Sequence, residues 1–270
     1  MISGGHVLAS LRQLLRYRAL VVSLVARELK ARYRGSVLGF LWTFVNPLLL
    51  LLVYSFVFGV VMPGARAPEI EHYPLFLFCG ILPWTWFSQA LTESCTSLTG
   101  SGSLLRKVMF PAEILPAVTV FTGLVNFGFG LVILAGFSIY AAVPLLTADL
   151  LWLPAIVLVQ LMLSLGLGLL LAALSVHFRD IRDLLGSVLT LWFFATPIIY
   201  PYTQAPERLR PLLDLNPFTH LAVAYQEVLY VAGPYRQGAR LGIAAGVALV
   251  ALIVGYLVFD RLRETFAEEV

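Results

Sequence analysis

The chain has 270 residues, of which 60% are hydrophobic and 12% charged, with a net charge of +3. Soluble domains carry about 25% charged residues, so this chain has too little charge to solvate a globule of its length, and the lipid bilayer is the solvent it fits. The net charge is small; where the charges stand decides more.

Residues 1–35 are expected to form an amphipathic interface helix, helical from 7 to 34. At about 100° per residue, Leu8, Leu11, Leu15, Val22, Val25, Leu29 and Tyr33 share one face, while Arg12, Arg16, Arg27, Lys30 and Arg34 lie on another. Basic residues are spread through this stretch, and no short apolar run leads to a small-residue cleavage site, so a typical cleavable signal peptide is not expected. Such a helix lies in the headgroup plane, drawn to anionic lipid. The sharper reading gives its basic end, 27–34, a cytoplasmic partner or an anionic head group as well.

Six stretches without Asp, Glu, Lys or Arg follow, each long enough to cross a bilayer once, since a crossing takes about 20 apolar residues. They lie between Arg34 and Arg66, His72 and Glu93, Glu113 and Asp149, Asp149 and Arg179, Asp183 and Glu207, and Arg240 and Asp260. The expected spans are 36–61, 74–97, 113–140, 150–176, 184–200 and 240–259, inside a six-helix transmembrane domain covering 36–260, with a cytoplasmic tail at 261–270. Six crossings put both termini on one side. With that side inside, 13 of the 18 basic residues face the cytoplasm, as the positive-inside rule requires.

Between the second and third spans, 99–103 reads as a flexible turn, and the run 104–111, which includes Arg106 and Lys107, reads either as a solvated loop or as a short helix docking into a soluble subunit. At the inner turn between the fourth and fifth spans, Arg179 and Asp183 are spaced to pair on a helix. With Asp180 they fit a salt-bridged helix start better than a metal pair. The segment 200–239 is too polar and too rich in breakers to cross, yet it holds apolar runs. Short re-entrant or interfacial helices at about 201–232 reconcile the two, forming an outer lid with Pro201, Tyr202, Asn216 and Pro217 as candidates. The fold class is therefore an all-α integral membrane protein with an N-terminal interface helix, six transmembrane helices and short re-entrant outer helices before the last span.

Polar residues inside apolar helices cost free energy unless they meet protein or water. Interhelical hydrogen bonds account for Asn126 and Gln160. Gln89 and Glu93 either reach the interface or line a polar pathway. Aromatic residues form 13% of the chain, grouped at Phe40, Trp42 and Phe44 and at Trp84, Trp86 and Phe87. An interfacial belt or ordinary packing explains such groups. Alternatively, flat rings lining a pore would let the apolar C–H faces of sugars slide past. Cys79 and Cys95 stand about 24 Å apart along one helix, too far to pair there, and read as packing residues.

No G-x-x-x-x-G-K-[ST] loop occurs, and no H-E-x-x-H or G-x-S-x-G. The four histidines fall in separate segments, so no metal site and no catalytic cluster can be assembled. This disfavours a membrane-embedded enzyme of glycolipid assembly, and any energy source lies outside the sequence motifs of this chain.

The run Arg27-Glu28-Leu29-Lys30-Ala31-Arg32-Tyr33-Arg34-Gly35-Ser36, then Leu38-Gly39-Phe40-Leu41-Trp42 and Asn46-Pro47, resembles the membrane permeases of ABC-type exporters for lipid-linked polysaccharides such as O-antigen, capsule and teichoic acid. The resemblance continues through Gly80-Ile81-Leu82-Pro83-Trp84-Thr85-Trp86-Phe87, the run 105–111, Glu113-Ile114-Leu115-Pro116, His177-Phe178-Arg179-Asp180-Ile181, Thr196-Pro197-Ile198-Ile199-Tyr200-Pro201 and Leu215-Asn216-Pro217-Phe218. It implies a homodimer in the bacterial plasma membrane with both termini cytoplasmic, two copies of a separate ATPase beneath it, and lipid-linked polysaccharide as cargo. It also implies no bound cofactor on this chain (ATP and Mg belonging to the ATPase) and no nucleic-acid partner. In that family the interface helix and the loop after the second span engage the ATPase. Those roles fall here on Arg27, Glu28, Arg32 and Arg34 and on Leu105, Arg106, Lys107, Phe110 and Pro111. An ABC-type exporter of small molecules or lipids would share the topology.

Overall fold

The computed structural model describes residues 17–32, 34–61, 70–101, 111–143, 148–178, 180–230, 235 and 237–266, the side chains of Phe40 and Ser101 excepted. Among these residues there are helices and turns and no strands. The α-helices are α1 (Arg18–Arg32), α2 (Trp42–Phe56), α3 (Tyr73–Ser97), α4 (Ile114–Tyr140), α5 (Leu153–His177), α6 (Ile181–Phe194), α7 (Arg210–Asp214), α8 (Pro217–Leu229) and α9 (Gly238–Leu262). Helices are the expected outcome for apolar segments that cannot offer their backbone groups to water, because every N–H and C=O is then satisfied within the segment.

Four helical stretches are long and apolar enough to cross a membrane: Tyr73–Ser97, Ile114–Tyr140, Ala148–His177 and Gly238–Thr265. The first and fifth expected spans are shorter than anticipated. The first has 15 α-helical residues, Trp42–Phe56, continued by a π-helical turn at Val57–Val61. The fifth stops at Phe194 instead of running to 200, because Pro197 disfavours helical backbone in the residue before it and lacks the N–H a further turn needs.

α1 packs Val21, Leu24 and Val25 against Ile114 and Val118 at the start of α4, with Tyr17, Leu20 and Leu29 alongside. These residues recur at three- and four-residue spacing, and Val22, expected on the apolar face, is 67% exposed instead. Each buried aliphatic side chain taken from water contributes about 1.5–3 kcal/mol, enough to set which side of α1 turns inward. The chain passes into α2 through Gly35 and Gly39, both at positive φ (81° and 49°), where a side chain would be strained.

α3 is the central helix, buried along most of its length. α5 and α9 cross with their backbones in contact at Gly166 and Gly255, where a Cβ on either glycine would overlap the other helix's main chain. Small residues at the crossing are what close helix approach in a membrane requires. α8 runs antiparallel to the first half of α3: Tyr230 sits by Phe76 (ring centroids 5.8 Å apart) and Phe218 by Trp84 (4.9 Å). Trp84 lies about 16 Å along α3 from Tyr73, so α8 begins deep in the bundle and emerges at its end.

Candidate functional site

Two ends of the bundle carry polar structure. At the α1 end, Arg32 Nη2 donates to Glu93 Oε1 at 2.6 Å, and Gln89 Nε2 donates to the same oxygen at 2.8 Å. Arg32 and Glu93 are 22% and 29% exposed, so the pair is shielded from water without being sealed off. Glu93 therefore satisfies its charge through α1. Arg27, Glu28, Lys30 and Arg34 remain exposed. At about 100° per residue Arg32, like Arg18, falls off the face that carries Arg27, Lys30 and Arg34, and the fold turns it inward onto Glu93.

Next to this pair a cavity of about 610 Å³ opens between α2, α3 and α4. Arg32, Trp42, Asn46, Trp86, Gln89 and Asn126 line it. Trp42 is steadied by a hydrogen bond from its Nε1–H to Ser36 Oγ (2.8 Å), and Trp86 by one from its Nε1–H to the Val120 carbonyl (3.0 Å). Asn126 Oδ1 is buried with no hydrogen-bond partner among the described residues, in contrast to the expected interhelical bond. A buried amide oxygen left unpaired costs about 1–3 kcal/mol, and a polar molecule in the cavity would relieve that cost. Gln160 does make its interhelical bond, donating through Nε2 to the Pro83 carbonyl at 2.9 Å.

The candidate ring residues separate. Trp42 and Trp86 reach the cavity. Phe44 turns to Phe129 of α4, with ring centroids 4.9 Å apart. Trp84 and Phe87 are buried in a cluster with Trp192, Phe193 and Phe218, which fastens α3 to α6 and α8. The Phe40 side chain, Leu105, Arg106, Lys107, Phe110 and Arg179 lie outside the described residues, and Pro111 stands just before α4. Asp180 precedes α6 and Asp183 occupies its first turn, where a carboxylate suits the helix dipole. Cys79 and Cys95 are buried, unpaired thiols.

The candidate lid residues fall into two hydrogen-bonded groups, one around Asn216 and one around Tyr202. Asn216 caps α8, accepting from the Phe218 N–H (3.0 Å) and from Trp192 Nε1–H (2.7 Å), while its own amide donates to Thr196 Oγ1 (2.8 Å). Pro217 occupies the first turn of α8, where its missing N–H costs nothing. Tyr202, which follows Pro201, donates its hydroxyl hydrogen toward Asp214, 3.0 Å from each carboxylate oxygen, and Arg240 stacks over its ring at 4.2 Å. Burial and then the Asp214 hydrogen bond raise the Tyr202 hydroxyl above its ordinary range. Sequence reasoning did not anticipate Asp214, Arg240 or Trp192, which become partners only through contacts distant along the chain. Nor did it anticipate His177, whose Nε2 lies 3.0 Å from Thr265 Oγ1, joining the end of α5 to the segment after α9.

A bundle whose long helices are apolar enough to cross a membrane, with a partly polar, aromatic-walled cavity beside Arg32, fits the membrane domain of a transporter. Residues 19–230 match the ABC-2 type transporter family, and the chain belongs to that family. It is similar to the O-antigen export system permease protein RfbA of Myxococcus xanthus, 43% identical over 263 residues covering 96% of this chain and 98% of that protein. It is also similar to an O-antigen export system permease protein RfbA of Klebsiella pneumoniae, 31% identical with 92% and 94% covered. The polysialic acid transport protein KpsM of Escherichia coli is 25% identical, with 90% and 93% covered.

Proposed function

We propose that this chain is the permease subunit of an ATP-driven exporter that moves lipid-linked polysaccharide, O-antigen-like or teichoic-acid-like, from the cytoplasm across the bacterial plasma membrane. The observation that carries this is the 43% identity to an O-antigen export permease over 96% of the chain. The permease works as a homodimer on two copies of a separate ATPase, with six crossings per chain and both termini in the cytoplasm.

ATP binding closes the ATPase dimer. The exposed Arg27, Glu28 and Arg34 and the loop at 105–111 receive that motion, and the Arg32–Glu93 pair passes it from α1 to α3. Arginine at the inner rim favours the phosphates of a lipid carrier, since its guanidinium pairs in two-pronged fashion with phosphate oxygens. Trp42, Trp86, Gln89 and Asn126 then present rings and amides to the sugar. The test is deletion of the gene in its own bacterium. Surface polymer is expected to vanish while lipid-linked polymer accumulates in the cytoplasm, and the intact gene restores export. Undiminished surface polymer in the deletion strain contradicts the reading.

A further inference from the structure

A second cavity, of about 640 Å³, lies at the α8 end, between the start of α3, the end of α4, the lid segment and α8. We propose that it is a saccharide-binding vestibule, where the rings of Tyr202 and Tyr230 and the carboxylates of Glu71 and Glu227 hold a neutral stretch of glycan. This rests on the polysaccharide-export reading and adds to it a contact within each protomer on the exit side, distinct from the cavity beside Arg32.

The chemistry of the walls argues for sugar. Phenol rings offer flat faces to the C–H faces of a pyranose. Carboxylates accept hydrogen bonds from hydroxyls more strongly than neutral acceptors do. The volume falls within the range of small-ligand sites, about 300–1,000 Å³. The described charged residues of the lining are Glu71 and Glu227, both acidic, while Arg240 beside the Tyr202 ring is balanced by Asp214 at 3.7 Å, so an anionic glycan meets like charge.

The walls are also held in place. Tyr202 is fixed by Asp214 and Arg240. Tyr230 accepts the His72 N–H through its hydroxyl at 3.0 Å. Glu227 Oε1 accepts from Gln237 Nε2 at 2.7 Å, which orients the carboxylate. Side chains ordered before a ligand arrives do not lose their freedom on binding. Affinity is expected to be weak, in about the millimolar range, since a conduit must release what it binds.

The experiment uses the permease purified with its ATPase subunit in lipid nanodiscs, with mannotetraose and tetrasialic acid as probes, read by saturation-transfer NMR. Saturation is expected to pass to mannotetraose and at least threefold less to tetrasialic acid. Tyr202→Leu and Glu71→Gln should each reduce the mannotetraose signal at least threefold. Glu71 is exposed, so its variant tests the site without disturbing the fold. No transfer to mannotetraose, equal transfer to both probes, or full signal in both variants overturns the vestibule. Export itself is scored separately by surface polymer: a complex that exports normally but fails the NMR test removes the vestibule alone.

Discussion

Arg32 and Glu93 meet at 2.6 Å, joining α1 to α3 at the centre of the bundle across 61 positions of sequence. The pair is partly shielded, so its coupling should lie between that of surface pairs and that of buried pairs, about 1–2 kcal/mol. Glu93→Arg and Arg32→Glu should each lower surface polymer at least tenfold, by setting like charges together. The double exchange should recover to within about threefold of the parent. A double variant no better than either single one removes the pair from the transmission path.

The crossing of α5 and α9 predicts a contrast between two glycines of one helix. Gly255→Ala places a methyl group against the Gly166 carbonyl, a backbone atom that cannot swing away, and should destabilise the detergent-solubilised protein by about 1–3 kcal/mol. Gly246→Ala meets open space and should be neutral or gain up to about 1 kcal/mol from better helix propensity. Thermal unfolding of both variants checks this, and equal stability of the two would show that α5 and α9 do not touch there.

Asn216 satisfies a helix end and an indole at once. Asn216→Ala leaves the Phe218 N–H and the Trp192 Nε1–H without an acceptor and should cost about 2–4 kcal/mol. Asn216→Asp keeps that acceptor, with a charge that suits a helix N-terminus, and loses the donor to Thr196 Oγ1 and to the Ala195 carbonyl, so its loss should be smaller than that of the Ala variant. Tryptophan fluorescence followed through thermal unfolding reports both; identical behaviour of the Ala and Asp variants contradicts the capping role.

The long spans were legible because apolar runs bounded by charges announce themselves without any knowledge of tertiary contacts, and α3, α4, α5 and α9 fall where the charge-free stretches predict them. The ends of α2 and α6 were less legible. The apolar signal continues past Phe194, while Pro197 stops the helix, and composition alone does not weigh one against the other. In the candidate site, the sequence marked Gln89 and Glu93 as costly within a span but could not supply Arg32 as partner, because the pairing depends on how α1 docks. It grouped Trp84, Trp86 and Phe87 as neighbours in sequence. A helix sends such neighbours in different directions, so Trp86 reaches the cavity while Trp84 and Phe87 hold α6 and α8.

The proposed orientation predicts which residues a membrane-impermeant maleimide reaches. Glu207→Cys, on the lid, should label in intact cells, and Lys30→Cys only after the membrane is opened. Native Cys79 and Cys95 are 0% and 1% exposed and should stay unlabelled in both conditions. Labelling of Lys30→Cys from outside would reverse the topology.

The most direct measurement is transport in proteoliposomes holding the permease and its ATPase, with lipid-linked polysaccharide in the leaflet that faces the ATPase. Addition of ATP should carry polymer to the far side, where a glycosidase trapped in the lumen degrades it, and no degradation should occur with a non-hydrolysable analogue. ATP hydrolysis at full rate with the polymer still untouched by the enclosed glycosidase would contradict polysaccharide export by this chain.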